Sequence, residues 1–268
     1  MWERELQVAV DAARRAGEIV REVYERPFEV VEKSHDNPLT EADLRANESI
    51  HAAIMAAFPA DGWLSEETRD SHERLSRRRV WIVDPLDGTK EFTQHIPEFC
   101  ICIALVDDGE PVVGVSYNPV TDELFAGANG HGLRVNGAPA HCTDTADVQQ
   151  ARVLASRSED KRGEWDPYKA LMRVELTGSV AFKLALIAAG RADGTFSLTP
   201  KHEWDVCAGA ALILAGGGRI TDCHGVPLRF NSEKPLLPGI IATNAALFEP
   251  IRAVIARVGK PAPKAERR

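Results

Sequence analysis

Aromatic residues are scarce, 6% of 268, and several features that would assign the chain to a specialised class are missing altogether. The five cysteines, Cys100, Cys102, Cys142, Cys207 and Cys223, form no CxxC and are odd in number, so a zinc knuckle or a disulfide framework is disfavoured and reduced thiols are expected. No uncharged apolar run approaches the roughly 18 residues of a membrane-spanning helix. The opening MWERELQVAVDAARRAGEIV carries charges throughout and lacks the apolar segment of a secretory signal. A cytoplasmic protein with no membrane partner is the expectation. Excess basic charge is also missing: the formal net charge is −8. That balance opposes a nucleic acid polymer as partner, because counterion release needs a basic surface. A small anionic substrate is compatible with it if cations neutralise the anion locally.

What is present is an ordinary globular composition, 44% apolar and 27% charged, long enough for one large domain or two intimate ones. Leu6, Val10, Ala13, Gly17, Val20 and Tyr24 recur at three- and four-residue steps and predict an amphipathic helix ending near Pro27. LTEADLRANESIHAAIMAAF predicts a second helix, with Thr40 and Asp43 spaced as a capping box. From Phe99 to Gly137, DDGE, NP and NG turns separate alternating segments, which predicts a meander of strands and an α+β half. Around ADVQQARVLAS the texture changes to short strands alternating with helices, a βα pattern that includes TGSVAFKLALIAAG and EWDVCAGAALILAGGG. The division predicted is 1–145 for the α+β half and 146–268 for the α/β half, ending in a basic tail, KPAPKAERR.

The chemistry concentrates in VWIVDPLDGTKEF, Val80 to Phe92. VWIV suits a strand covered on both faces, so the carboxylates Asp84 and Asp87 stand where the chain reaches a rim. Like charges held this close repel unless something positive sits between them. The turn at Pro85 and Leu86 can aim both side chains at one point and offer the Leu86 carbonyl as a third oxygen. Hard cations such as Mg²⁺ want that oxygen-only set. Gly88 and Thr89 open a short helix, whose N–H groups favour an anion. The other acids have local explanations: Glu66 and Glu67 as a solvated pair, Asp205 as a first-turn helix acid, Asp43 as a capping-box member. Together with DPLDGT they describe a metal and phosphate site.

KSHDNPLTEAD, WLSEET, WIVDPLDGTKEF, TGSVAFKLALIAAGRADG and EWDVCAGAALILAGG occur in order along nearly the whole chain. In this set the chain resembles the Mg²⁺-dependent, lithium-sensitive phosphatases that include inositol monophosphatase and the 3′(2′),5′-bisphosphate nucleotidases. The resemblance implies a layered αβαβα sandwich, usually paired as a homodimer, acting on a small phosphorylated metabolite with two or three Mg²⁺ ions. It implies one metal held by Glu66, Asp84 and the Leu86 carbonyl, and a second by Asp84, Asp87 and Asp205. It further implies that Asp43 orients Thr89, and that this pair helps a water to attack phosphorus in line without a phosphoenzyme. Gly88 and Thr89 N–H groups would hold phosphate oxygens, and Gly178 and Ser179 would line the pocket beyond.

TKEF after DPLDG is the form associated with the nucleotidases, where inositol monophosphatases commonly carry Thr-Asn or Arg-Asn. Leu198, seven residues before Asp205, stands where the inositol enzymes carry an acid that binds the ring, and leucine cannot make that bond. PKHEWD departs from the usual nucleotidase segment. Hydrolysis of 3′-phosphoadenosine 5′-phosphate to AMP is therefore the first expectation, and inositol 1-phosphate or a broader range of sugar phosphates the alternative. Phosphatases that form an aspartyl-phosphate use D-x-D-G-T, with one residue between the aspartates where this chain has two. An inactive, ligand-binding relative is the non-enzyme alternative, set against a complete set of expected residues. Lys90 and Lys183 are candidate cations for a bisphosphate, with solvated lysines as the simpler expectation for both, and a surface position is expected for His202.

Overall fold

Small residues decide how the first helices pack. Helix α1 (Glu3–Tyr24) buries Ala9, Ala12, Ala13, Ala16 and Gly17 along one stripe before Val20 and Val23, so its backbone can lie close to a sheet. Helix α2 (Glu41–Ala57) buries Ala42, Ala46, Ile50 and Ile54 at the same spacing, and its N-terminus carries the Thr40–Asp43 capping box. Between them runs a hairpin, β1 (Val30–Ser34) and β2 (Asn37–Thr40), whose strands, among the described residues, pair with each other alone. The computed structural model describes residues 1–34 and 37–261. Most of the predicted basic tail therefore lies outside the described residues.

Seven strands follow in sheet order: β3 (Gly62–Ser65), β4 (Arg79–Asp87), β5 (Cys100–Asp107), β6 (Glu110–Asn118), β7 (Glu123–Ala128), β8 (Gly132–Val135) and β9 (Ala138–Ala140). β3 and β4 are parallel, and every later neighbour is antiparallel. Asp108–Gly109 and Asn136–Gly137 both take positive φ at two successive residues, the hairpin geometry that DG and NG favour. A short helix, α3 (Thr89–Thr93), leaves the end of β4.

The second half contains β10 (Arg152–Ala155), α4 (Arg157–Lys161), β11 (Arg173–Leu176), α5 (Val180–Ala188), β12 (Gly194–Ser197), β13 (Lys201–His202), α6 (Glu203–Ala215), β14 (Arg219–Asp222), β15 (Leu236–Leu237), β16 (Ile240–Thr243) and α7 (Phe248–Val258). Five of these strands form a mixed sheet in the order β11-β10-β12-β16-β14, and β13 pairs with β15 apart from it.

Helices α5 and α6 are apolar nearly all round because they lie between the two sheets and touch both. Helices α1 and α2 cover the outer face of the seven-stranded sheet and α7 packs on the five-stranded one. The layers run αβαβα, with three apolar clusters between them. Close approach in the middle layer has a visible cause. A Cβ on Gly114 of β6 would lie 2.4 Å from the Ala208 carbonyl of α6, so glycine there lets α6 sit directly on the sheet. That contact fixes the N-terminus of α6, where Asp205 stands.

Candidate metal and phosphate site

An irregularity in β4 aims the two motif aspartates. The strand continues past VWIV to Asp87 with a register shift, so that Asp84 opposes Cys102 and Asp87 opposes Cys100. Residues three apart on a regular strand point to opposite faces. One extra residue on β4 relative to β5 cancels that alternation, as a β-bulge does. Both aspartates then face the side of Cys100 and Cys102, where the ends of α5 and α6 arrive. Pro85, which has no N–H to give to a ladder, sits inside the bulge.

One carboxylate oxygen each from Glu66, Asp84 and Asp205 lies within 4.8 Å of the others. Glu66 follows β3, Asp84 ends the regular part of β4, and Asp205 is in the first turn of α6, where it also accepts the His202 N–H at 3.2 Å. Asp87 stands outside this group of three. Its Oδ2 accepts from Ser179 Oγ at 2.5 Å and from Ala181 N at 2.6 Å, at the start of α5, which leaves Oδ1 free of those bonds. The Leu86 carbonyl oxygen lies 3.0 Å from Thr89 Oγ1 and, with two lone pairs, has one to spare for a cation.

Burial pushes the Asp84 carboxyl well above the usual range, and Glu66, Asp87 and Asp205 push it further. Asp205 is raised well above it for the same reasons, burial first and then Asp87 and Glu66. Glu66 is raised by burial although Lys33 opposes the shift. Asp87 is raised by burial against its bonds to Ser179 and Ala181. Buried acids with only oxygen donors and mutual repulsion fit a hard divalent cation such as Mg²⁺.

The expected partners Asp43 and Thr89 meet. Thr89 Oγ1 lies 3.1 Å from Asp43 Oδ1, and Asp43 Oδ2 accepts Thr40 N at 2.8 Å and Thr40 Oγ1 at 2.7 Å. The capping box therefore uses one oxygen of Asp43 and leaves the other for Thr89. Gly88 adopts φ 100° and a Cβ there would meet the Glu98 carbonyl at 2.9 Å, so glycine is required where α3 opens.

Glu66, Asp84, Leu86, Asp87, Gly88, Thr89 and Asp205 line a cavity of about 450 Å³ that also reaches Lys33, Lys90, Glu91, Ser156, Ser158, Gly178, Ser179, Lys183, His202 and Trp204. Gly178 and Ser179 do lie on its wall, and each is also tied to the scaffold. Gly178 N donates to Glu98 Oε2 at 2.6 Å, and the Gly178 α-carbon lies so close to Glu91 that a Cβ would be 2.3 Å from its carboxyl carbon. Two expectations are corrected. Lys183 is not solvated: it is 4% exposed and donates to the Ser179 carbonyl at 2.6 Å and the Thr177 carbonyl at 3.2 Å, because a small-residue helix between two sheets leaves its stem nowhere else to go. Leu198 does not face the cavity but packs with the outer cluster of Trp165, Tyr168 and Phe196. His202 is exposed, as expected, and it also borders the site.

Lys33 is a site residue that no local sequence pattern marks. From β1 it reaches Glu66 Oε1 at 3.1 Å and also pairs with Glu67, so it neutralises part of the acid cluster. KSHDNPLTEAD gave the only signal, and only through resemblance.

The profile of the inositol monophosphatase family matches residues 1–256. The chain belongs to that family. Inositol monophosphatase 3 of Solanum lycopersicum is 33% identical over 257 residues, 91% of this chain and 94% of the relative. The 3′(2′),5′-bisphosphate nucleotidase CysQ of Escherichia coli K12 is 34% identical over 233 residues, 85% and 94% of the two chains. The solved Thermotoga maritima IMPase superposes with a TM-score of 0.84 at 26% identity, covering 95% of this chain and 98% of that one. Membership of the inositol monophosphatase family makes the chain a phosphoric monoester hydrolase.

The raised carboxyls dictate a pH response. A folded pKa above the unfolded one gives stability that is full below the unfolded pKa and lost as pH rises through the folded value. In the metal-free protein, Asp84→Asn should therefore be more stable than the wild type by a margin that grows from the ordinary carboxylate range toward neutrality. Mg²⁺ should raise the Tm of the wild type more than that of the variant. Thermal unfolding across pH with and without Mg²⁺ checks this, and a margin that shrinks as pH rises would contradict it.

Proposed function

We propose that the enzyme removes the 3′-phosphate of 3′-phosphoadenosine 5′-phosphate, giving AMP and inorganic phosphate, with Glu66, Asp84, the Leu86 carbonyl, Asp87 and Asp205 as ligands of Mg²⁺. Bound there, the cations would neutralise the phosphate, acidify water and stabilise the leaving oxygen. The chain's own residues supply the orientation. Asp43, its other oxygen held by Thr40, accepts the Thr89 proton, so the Thr89 oxygen turns a lone pair toward the attacking water. The N–H groups of Gly88 and Thr89 hold phosphate oxygens. Attack in line breaks the bond between phosphorus and the ester oxygen, and the freed alkoxide takes a proton.

The observation that carries the substrate choice is Lys183. A buried ammonium on the wall of the same cavity suits a second anionic group, which a bisphosphate has and inositol 1-phosphate lacks. TKEF after DPLDG agrees. Hydrolysis of inositol 1-phosphate is the second reading, favoured by the 33% identity to the tomato enzyme beside 34% to CysQ. The same proposal includes a homodimer in the cytoplasm, with residues 1–145 supplying most ligands and 146–268 supplying Asp205.

Two measurements test this. A panel of substrates should rank 3′-phosphoadenosine 5′-phosphate above inositol 1-phosphate by kcat/KM. A tenfold preference for the inositol ester, about 1.4 kcal/mol in the transition state, would reverse the assignment. Thr89→Val should lower kcat by about 10² to 10⁴ with a smaller effect on Mg²⁺ affinity. Adding Asp43→Ala to it should cost far less than the product of the single effects, and independent effects would refute the pairing.

A further inference from the structure

His202 and Trp204 lie flat on one another, with ring centroids 4.4 Å apart and planes 4° from parallel. Residues two apart on a helix do not face each other. The stack forms because His202 is outside the helix: it caps α6 with extended backbone (φ −71°, ψ 153°) and belongs to β13, which β15 pairs and holds. Trp204, the second residue of α6, is half-buried against the central apolar cluster. One side of the indole is thus spent on the core, and the imidazole covers another part of it. The His202 ring itself stays exposed and borders the cavity that contains Asp84 and Asp205.

The ring is also set at a fixed offset from the chemistry. The His202 N–H is bound to Asp205 Oδ2 at 3.2 Å, so the backbone that carries the imidazole is tied to a carboxylate of the proposed metal set. An exposed histidine without a partner would sample several rotamers. This one is held against a rigid indole, so a ligand meeting it finds a preordered flat surface and loses less entropy on binding.

We infer that the outer face of His202, backed by Trp204, is a stacking platform for a planar heteroaromatic ring on the leaving-group side of the substrate. The inference deepens the nucleotidase reading and rests on it for the identity of that ring, a purine. Offset stacking of a base on an aromatic side chain needs no hydrogen bond and tolerates any flat ring. His202 thereby selects substrates with a base over sugar or polyol phosphates of equal charge.

The test compares two esters that differ only in the ring: adenosine 3′-phosphate, and the corresponding ribose 3-phosphate with a methoxy group in place of the base. The wild type should bind the base-bearing ester more tightly, with a KM lower by about tenfold, within the range base stacking provides. His202→Ala keeps the N–H that holds Asp205 and removes the ring, so the ratio of the two KM values should fall toward one. His202→Phe should restore the ratio, since it returns a flat face without the imidazole nitrogens. If His202→Ala raises both KM values alike, or moves neither, or if Phe fails to restore the ratio, the platform is refuted. Neither ester carries a second phosphate, so this result stands apart from the ranking of 3′-phosphoadenosine 5′-phosphate against inositol 1-phosphate. Loss of that ranking with a retained KM ratio would strike the bisphosphate assignment alone.

Discussion

Asp84 is buried and Asp205 half-buried within reach of Glu66 and Asp87, and those two carboxylates raise the affinity of both for protons. Left to themselves, four such carboxylates would splay apart or protonate. Several neighbouring features can be understood as ways of holding them in place. The bulge in β4 turns Asp84 and Asp87 to one face. The start of α5 gives Asp87 two short hydrogen bonds. Lys33 crosses from a separate hairpin to Glu66 and Glu67, and the Lys183 ammonium, although burial favours its neutral form, lowers the affinity of Asp87 for protons. These cations offset part of the negative charge, and a divalent ion offsets far more.

Layering explains why the ligands come from distant parts of the chain. The seven-stranded sheet ends its fourth strand at the site, and the middle layer of α5 and α6 presents two helix N-termini to it. Those helices can occupy that layer only because they are small and apolar, with Gly114 and Gly209 at the closest contacts. The same packing that buries α5 also buries Lys183. Arg157 is engaged differently: its ion pair with Glu98 at 2.9 Å, through Glu98 to Gly178 N, braces the loop before α5.

Much of this was legible in the residues. The three-four spacing gave α1, the capping box gave the start of α2, and the DG and NG turns gave the meander. DPLDGT with a distant WD identified the acid cluster. What stayed hidden depends on contacts between separate segments. Asp84 and Asp87 were expected to meet because of a turn after VWIV, whereas the strand runs on and a bulge does the work. No local pattern shows that the Lys183 stem is trapped between sheets. Nor does PKHEWD reveal that His202 lies on Trp204, since that needs β15 to pin β13. Leu198 was read by its distance from Asp205, and only tertiary packing turns it toward Trp165.

The central claim is that the β4 bulge and the two helix starts converge on a cation site formed by oxygen atoms from separate segments. A crystal of the protein grown with Mn²⁺, with anomalous diffraction collected at the manganese edge, tests it most directly. The account predicts an anomalous peak at coordination distance from oxygen atoms of Glu66, Asp84 and Asp205, with Lys33 withdrawn from Glu66. Ordered Mn²⁺ bound elsewhere, with Lys33 still against Glu66 and no peak among the three carboxylates, would contradict it.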